Sequence, residues 1–254
     1  MVHKMKIGII GFGNLGRSLT LGLIRSYSTG VGDIYVCDND PEVLEIAKKA
    51  PYFTNASSDP VYVIKNVDVV FLVVKGYIFK EMAKSFKTHL FTGKTVVSFM
   101  AGETFEKIYS YIGKVDLVRA MPSLAIATND GVIGHTKTTP AITDIFNRLG
   151  YAFETEPDSI EKFMAFSACG LGYAAYLIDA LSSAGQAMGF PEEACTEIAT
   201  ITFQNAINRG DFRQTVKAVA TQGGATEAGV AHLNEIGIYN IVEDAVRIAF
   251  EKMT

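Results

Sequence analysis

Three glycines close to the start of the sequence have the spacing with which many enzymes hold the phosphates of a dinucleotide. Gly11, Gly13 and Gly16 form the pattern G-x-G-x-x-G, which follows the apolar run Ile7–Ile10 and opens the helix-like run 15–25. The first glycine permits a tight turn, the second lets the backbone approach a pyrophosphate, and the third lets the helix pack closely on the strand. Free N–H groups at the helix N-terminus favour the negative charge of the phosphates. Because the pattern lies between a strand and a helix, it predicts a dinucleotide site rather than a turn with a packing role alone.

An acidic residue follows the second apolar run and indicates how the adenosine half of such a cofactor is held. Asp38 comes directly after Ile34–Cys37 and lies 22 residues beyond Gly16. A carboxylate at this place accepts hydrogen bonds from the ribose hydroxyls of NAD. The next basic residue is Lys48, so a 2′-phosphate would meet Asp38 and Asp40 without a nearby cation. The sequence therefore favours NADH over NADPH, and the alternative is that Asp38 only caps a turn.

A second pair of glycines suggests a site for a carboxylate. Gly223 and Gly224 interrupt the helical pattern and are followed by a new helix. Such a turn offers exposed N–H donors to an anion, and Thr221 and Thr226 place hydroxyl groups on either side. A turn between two helices with Thr226 as N-cap explains the same residues, and the sequence alone favours that simpler interpretation.

Alternating strands and helices must position the first set of residues. Apolar runs at 68–74, 95–99 and 115–120 are typical of strands covered on both faces, and helix-like segments at 77–87 and 103–110 separate them. The alternation predicts an α/β fold with a doubly wound parallel sheet of the Rossmann type. Ligands of such sheets bind at the carboxyl ends of the strands. Those ends carry the glycine loop, Asp38, Lys75, Met100–Gly102 and Met121–Ser123.

The pattern becomes entirely helical after residue 156. Residues 159–188 have helical periodicity and many small side chains, and a Gly-Phe-Pro sequence at 189–191 ends this run before further helices follow. We predict a dinucleotide-binding Rossmann domain at 1–156 and an all-helical domain for dimerisation and substrate binding at 157–254. Small side chains permit close helix packing, which favours a dimer surface, with an ordinary domain core as the alternative.

Composition argues against several other classes of protein. The 254 residues carry a formal net charge of −4, and no run of Lys or Arg predicts binding to nucleic acid. We expect no leader before the first strand, and no apolar stretch that approaches the roughly 20 residues of a membrane span. Cys37, Cys169 and Cys195 are scattered, which predicts a reducing cytoplasm and neither a metal site nor a disulfide framework.

The stretch 220–234 resembles the C-terminal signature of the pyrroline-5-carboxylate reductase family. That signature has a small residue, Ser or Thr, often Pro, Gly-Gly-x-Thr and then a helix with spaced small residues. Val118–Pro122 resembles the family's V-R-x-M-P-N segment, Val73–Gly76 its A-V-K-P turn and Ser98–Gly102 its S-x-A-A-G turn. Leu177–Pro191 resembles its long dimerisation helix. The resemblance extends over essentially the whole chain in the same order.

The resemblance implies reduction of 1-pyrroline-5-carboxylate to L-proline by hydride transfer from NAD(P)H, a step of proline biosynthesis. It also implies a helical domain that interlocks with a second subunit, and homodimers that assemble further, for example into decamers. The glycine pattern and the acidic position after the second strand already indicate Gly16 and Asp38 as cofactor contacts. The positions that match the family imply further cofactor contacts at Ile10, Gly11, Phe12, Gly13, Asn14, Leu15, Asn55, Val73, Val74, Lys75, Gly76, Phe99, Met100 and Ala101. The residues expected to bind the substrate are Thr221, Gly223, Gly224, Ala225 and Thr226, and the hydroxyl of Thr226 is the expected catalytic group beside the imine nitrogen.

The sequence departs from the family pattern at several places. Ser123 replaces the Asn that follows Met-Pro, Gln222 and Gly76 replace two prolines, and Leu171 and Ala218 stand in two further motif positions. These changes leave three alternatives open, namely reduction of another cyclic imine, a regulator that binds nucleotide without turnover, and a β-hydroxyacid dehydrogenase.

The dehydrogenase alternative is the weakest of the three. That group needs a Lys as general acid and base on the first long helix, in a G-x-G-x-x-x-K-x-x-N pattern. This chain has Tyr176 at the lysine position and Asp179 at the asparagine position. Oxidation of an alcohol without that base would be slow, so imine reduction is the better interpretation.

Overall fold

The computed structural model describes residues 5–26, 33–49, 51–52, 54–87 and 89–253. These residues divide into two compact units. The first unit reaches Ala168 and also includes Lys252 and Met253, and the second unit spans Cys169–Glu251. Every described strand belongs to the first unit, and the second is built from helices.

An eight-stranded sheet forms the centre of the first unit, with the strand order β3-β2-β1-β4-β5-β6-β7-β8. The strands are β1 (Ile7–Ile10), β2 (Ile34–Cys37), β3 (Asn55–Ser57), β4 (Val69–Leu72), β5 (Thr95–Ser98), β6 (Asp116–Pro122), β7 (Gly131–His135) and β8 (Gly150–Glu154). Neighbouring strands run parallel except β6 and β7, which are antiparallel. The α/β fold of the Rossmann type is confirmed, and the expectation of a purely parallel sheet is wrong at this one pair.

The register of the sheet brings successive loops to one edge. Ile10 is paired with Cys37 on one side and with Leu72 on the other, and Leu72 is paired with Ser98. The residues that follow these four strand ends therefore lie side by side. The Gly11 N–H donates to the Cys37 carbonyl oxygen at 2.8 Å, which ties the glycine loop to the end of β2.

Helices cover both faces of the sheet. They are α1 (Asn14–Ser26), α2 (Pro41–Ala47), α3 (Pro60–Lys65), α4 (Gly76–Ala83), α5 (Phe105–Ile112), α6 (Pro140–Leu149) and α7 (Ile160–Phe166), with 3₁₀ turns at Leu124–Thr128 and Pro157–Ser159. Asp40 and Asp59 cap α2 and α3 by accepting backbone N–H bonds, each with a proline next in sequence. Alternating side chains of the central strands enter two separate apolar cores: Ile9, Phe71 and Val97 lie in one, and Ile10, Val70 and Val96 lie in the other.

The predicted long helix at 159–188 is interrupted once. The structure has α7 to Phe166 and then α8 (Ala168–Ala187), with Ser167 between them at φ −93° and ψ −66°. The Ser167 hydroxyl donates to the Phe163 carbonyl oxygen at 2.8 Å. A serine that bonds back to the preceding turn in this way often bends a helix.

The second unit consists of most of α8 together with α9 (Glu192–Arg209), α10 (Phe212–Val219), α11 (Ala225–Glu235) and α12 (Ile238–Glu251). Its buried residues are few, and Ser182, Cys195 and Ala199 are among them. Its surface carries many large apolar side chains, including Leu171, Tyr176, Leu177, Leu181, Met188, Phe190, Ile198, Ile201, Phe212, Val216, Val219, Tyr239 and Ile248. A surface of this kind marks an interaction site.

One helical segment has the length and composition of a candidate membrane span. Pro157–Ala187 contains a window of mean hydropathy 1.4, of which 6% is buried. By this measure the expectation that no stretch approaches membrane length is wrong. The measure rests on length and composition alone, and the core helix of a soluble protein also meets it.

Candidate active site

A cavity of about 680 Å³ lies in the first unit, at the edge where the glycine loop and the ends of β4 and β5 meet. Ten residues predicted as cofactor contacts line it: Gly13, Asn14, Leu15, Val73, Val74, Lys75, Gly76, Phe99, Met100 and Ala101. The cavity therefore gathers residues that are far apart in sequence but follow neighbouring strands. Their role as cofactor contacts remains a prediction.

The three glycines of the loop differ in why they need to be glycine. Gly11 has φ +104°, and a Cβ there would lie 2.8 Å from the Val73 carbonyl oxygen. A Cβ on Gly16 would overlap the Gly11 carbonyl oxygen. A Cβ on Gly13 would meet nothing within 4 Å. The fold itself thus requires Gly11 and Gly16, whereas Gly13 leaves open space at the cavity wall, which fits the close approach of a dinucleotide phosphate.

Asp38 holds the glycine loop in place. Its Oδ2 accepts the N–H of Phe12 at 2.8 Å, and its Oδ1 accepts the N–H of Asp40 at 3.1 Å. The turn-capping alternative for Asp38 therefore describes what the structure contains. Each carboxylate oxygen keeps a second lone pair, so the ribose contact stays compatible with this geometry and remains a prediction.

The surroundings of Asp38 are acidic. Burial and the neighbouring carboxylates of Asp38 and Asp59 raise the pKa of Cys37 to about 12. The thiol of Cys37 is therefore protonated at neutral pH and inert as a nucleophile. Asp40 adds a third carboxylate at the start of α2.

Several predicted contacts lie outside the cavity wall. Ile10 and Phe12 are fully buried in the core, and Gly11 and Gly16 support the loop from within. Asn55 begins β3 opposite Tyr35, two residues before the carboxyl end of that strand at Ser57. The structure does not bring Asn55 into the cavity. Met121–Ser123 is also not part of its wall, because β6 continues to Pro122 and pairs with β7 there.

Four residues that sequence reasoning did not single out line the cavity: Leu124, Met164, Lys252 and Met253. They come from a 3₁₀ turn, from α7 and from the last residues described, and no motif marks them. The charged residues in the described wall are Lys75 and Lys252. Two cations without an acidic partner in the wall favour an anionic ligand.

At Gly76, where the sequence has glycine instead of the family's proline, the structure leaves no room for a side chain. A Cβ on Gly76 would overlap the carboxylate of Glu103. The proline that the family resemblance implies at this position would therefore require Glu103 to move. One oxygen of that carboxylate, Oε2, is buried and has no hydrogen-bond partner among the described residues.

The Gly-Gly turn lies in the second unit, before α11. The N–H of Gly224 donates to the Thr221 carbonyl oxygen at 2.9 Å, and Gly223 adopts φ +73°, which favours glycine. Gly224 is the N-cap of α11, so the alternative that Thr226 is the N-cap is wrong. The N–H of Gly223 donates to the Glu227 Oε2 at 2.7 Å, so a carboxylate from the chain itself already occupies one of the predicted donors. Within the described residues, no group of three or more His, Cys, Asp and Glu side chains could hold a metal ion.

Comparison with known proteins agrees with this architecture. Residues 157–254 match the family model described as pyrroline-5-carboxylate reductase dimerisation, and residues 6–102 match the model described as NADP oxidoreductase, coenzyme F420-dependent. The pyrroline-5-carboxylate reductase of Staphylococcus aureus (strain COL) is 25% identical over 261 residues, covering 98% of this chain and 96% of its own. That of Aquifex aeolicus is 26% identical over 265 residues, with 99% and 97% covered. The structure of Plasmodium falciparum pyrroline carboxylate reductase with NADP bound shares the fold, with a TM-score of 0.85 at 20% identity and 100% and 98% of the two chains covered.

A Rossmann unit joined to a helical dimerisation region defines an NAD(P)H-dependent oxidoreductase of the two-domain class. Within this class, the dimerisation model over residues 157–254 and the relatives at 25% and 26% identity over nearly their whole length support the pyrroline-5-carboxylate reductase family. This is the family that the sequence motifs indicated. The dimerisation match also explains the apolar surface of the second unit, because a partner subunit buries such side chains.

Proposed function

We propose that the protein reduces 1-pyrroline-5-carboxylate to L-proline with NAD(P)H. The observation that carries the proposal is that residues 157–254, which match the reductase dimerisation family, contain the T-Q-G-G-A-T turn. The first unit contains a cavity that is lined in part by a glycine loop of the dinucleotide-binding type. The curated relatives named above carry this activity in their names over nearly their whole length.

The residues of the cavity fit a nicotinamide dinucleotide. Gly13, Asn14 and Leu15 would hold its diphosphate at the start of α1, and the turns Val73–Gly76 and Phe99–Ala101 would hold its nicotinamide end. When bound, this group supplies the hydride for the reaction. The apolar side chains of Phe99, Met100 and Met164 would exclude water from the reacting carbon.

Reduction of a cyclic imine asks little acid–base chemistry of the protein. The imine nitrogen is basic, so the substrate arrives partly protonated and its C=N carbon is electrophilic. The enzyme must chiefly hold the substrate in the reactive orientation, which is worth several kcal/mol. We place the substrate carboxylate at the turn formed by Thr221, Gly223, Gly224 and Ala225. The hydroxyl of Thr226 donates a hydrogen bond to the nitrogen as it becomes an amine.

Glu227 should compete with the substrate in this scheme. Because its carboxylate accepts the Gly223 N–H, a substrate carboxylate must displace it or bind beside it against repulsion. We expect Glu227→Ala to lower the KM for the imino acid by about three- to tenfold. Glu235→Ala, which removes the same charge at the other end of α11, should leave KM unchanged. A KM that rises in Glu227→Ala would show that Glu227 shapes the turn instead of competing.

The acidic surroundings of Asp38 support a preference for NADH. A 2′-phosphate would approach the carboxylates of Asp38, Asp40 and Asp59 at the ends of β2 and β3. Asp38→Ala should reduce the ratio of NADH to NADPH affinity at least about tenfold, because it removes both the ribose acceptor and the repulsion. Fluorescence titration of both cofactors measures this ratio. Asp40→Ala removes one charge without the predicted ribose contact and serves as the control. An unchanged ratio in Asp38→Ala would mean that Asp38 does not touch the ribose.

The remaining features of the proposal concern organisation. The chain acts as a homodimer in the cytoplasm through its helical region. Residues 1–156 form the cofactor-binding domain, and residues 157–254 serve dimerisation and substrate binding and also add Met164 and Lys252 to the cavity wall. Dimers assemble into a larger particle such as a decamer. Neither nucleic acid nor membrane takes part. Light scattering after size exclusion distinguishes a monomer, a dimer and a decamer.

A panel of cyclic imines tests the proposed substrate. Oxidation of NADH and NADPH is followed with 1-pyrroline-5-carboxylate and with five- and six-membered imines that carry the carboxylate elsewhere or lack it. The proposal predicts the highest kcat/KM for 1-pyrroline-5-carboxylate. Faster turnover of another ring would identify a different imine as substrate. Cofactor binding without turnover of any imine would identify a nucleotide-binding regulator.

A further inference from the structure

A buried ion pair in the first unit reaches the wall of the cavity. Arg119 on β6 donates from its guanidinium to the Glu161 carboxylate on α7, and the side chains are only 2% and 11% exposed. The same oxygen of Glu161 accepts the N–H of Gly102 at 3.1 Å. The pair therefore links three segments that are far apart in sequence.

Gly102 ends the turn that lines the cavity after β5. The two residues before it, Met100 and Ala101, belong to the cavity wall. Gly102 has φ +72°, and its carbonyl oxygen accepts the Lys107 ammonium at 2.8 Å. A Cβ there would lie 2.7 Å from the Met253 carbonyl oxygen. Both backbone groups of Gly102 are therefore hydrogen-bonded to side chains, the N–H to Glu161 and the C=O to Lys107, and these bonds hold the turn.

The pair also fixes α7. Glu161 is the second residue of that helix, and Met164, one turn later, lines the cavity. At the other end of the ion pair, Arg119 is the residue of β6 that is paired in register with Ser98, the last residue of β5. Its backbone is bonded to Thr136 of the neighbouring chain segment through both N–H and C=O. The arginine is therefore a rigid anchor from which Glu161 is held.

The arrangement is poorly suited to stability alone. Removing two charges from water is costly, and apolar residues of similar size often give equal or greater stability than a buried ion pair. The Arg119 Nε is buried without a hydrogen-bond partner in the described part of the chain, which adds to that cost. A positional role explains why such a pair would be kept next to a binding site.

We propose that Arg119 and Glu161 are positioning residues for the cofactor: Glu161, anchored by Arg119, holds the Gly102 N–H and so sets the Met100–Gly102 turn and Met164 against the nicotinamide end of the cavity. The proposal rests on the cofactor role proposed for that cavity. Neither residue touches the reacting atoms in this scheme. They act through the turn and through α7.

A double variant separates position from stability. Glu161→Ala alone leaves the Arg119 charge buried without its partner, so we expect both a lower Tm and a Kd for NADH raised at least about tenfold. Arg119→Met combined with Glu161→Leu removes both charges and should restore the Tm. It still lacks an acceptor for the Gly102 N–H, so the raised Kd should persist. A double variant with wild-type Tm and wild-type Kd would overturn the proposal and leave the pair a purely structural role.

A conservative variant gives a second, independent outcome. Glu161→Gln keeps an oxygen acceptor for Gly102 and Arg119, so we expect a Kd for NADH within about threefold of wild type. If Glu161→Gln kept the wild-type Tm but bound NADH as weakly as Glu161→Ala, the proposed role of the Glu161 oxygen as hydrogen-bond acceptor would be contradicted. Asp144→Asn, which weakens the exposed pair with Arg148 on α6, is the control and should change neither quantity.

Binding is measured by NADH fluorescence without any imine. A wild-type protein that binds NADH but does not reduce 1-pyrroline-5-carboxylate would refute the proposed substrate, and the variants would still decide the role of the pair. A wild-type protein that binds neither NADH nor NADPH would overturn the cofactor premise and this proposal together.

Discussion

Replacing Gly13 by Ala should raise the Kd for NADH at least about tenfold and leave the Tm of the free protein unchanged. The structure gives the reason for both halves of this result. A Cβ on Gly13 meets no atom of the protein within 4 Å and the residue is not held at positive φ, so the fold tolerates alanine. The same methyl group projects into the space where the diphosphate would contact the backbone. Fluorescence titration and thermal unfolding measure the two quantities.

Gly16→Ala is the matched contrast in the same loop. Its Cβ would overlap the Gly11 carbonyl oxygen, which is backbone and cannot rotate away. We expect overpacking of roughly 1–3 kcal/mol, and therefore a Tm lower by several degrees, before any cofactor is added. If Gly13→Ala bound NADH as tightly as wild type, the diphosphate would not lie at this loop.

Replacing Thr226 by Ala should lower kcat by about a hundredfold, because one hydrogen-bond donor to the developing amine is lost. The Kd for NADH should not change, since the predicted cofactor contacts lie in the other unit. Thr226 is the second residue of α11 and exposed, and Gly224 is the N-cap. Loss of its side chain should therefore leave the helix intact.

Thr226→Ser is the control for this prediction. Serine keeps the hydroxyl and loses only the methyl group, so most of the turnover should return. Steady-state kinetics at saturating imine and NADH measure kcat for both variants. Unchanged turnover in Thr226→Ala would remove Thr226 from the mechanism.

Much of the Rossmann core is predictable from sequence because its signals are local. The strands Ile7–Ile10 and Ile34–Cys37 are found at their predicted bounds, since each is a short apolar run with a polar or glycine residue at its end. Asp40 and Asp211 each precede a helix and accept a backbone N–H of its first turn, as is typical of aspartate at an N-cap. These features depend on residues within a few positions of one another.

The outer strands lacked such signals. β3 is three residues of small or polar type, and β8 alternates exposed and half-buried positions at the sheet edge. β7 contains two glycines, of which Gly134 makes room for the Phe163 ring. Pairing with a neighbour, rather than the propensity of these segments, makes them strands.

The candidate site was predictable where its residues follow strands, and not elsewhere. The turns at Gly13–Leu15, Val73–Gly76 and Phe99–Ala101 all meet in one cavity because parallel strands end at one edge. Met164 and Lys252 reach that cavity through tertiary packing, which no spacing in the sequence encodes. The hydrogen bonds from the Gly102 N–H to Glu161 and from the Gly223 N–H to Glu227 likewise depend on the folded geometry.

The most direct test of the account is product analysis after incubation of the purified protein with 1-pyrroline-5-carboxylate and NADH. The proposed function predicts L-proline in amounts equal to the NADH consumed, and slower formation of L-proline with NADPH. Consumption of neither cofactor and absence of proline, in a preparation that binds NADH, would contradict it.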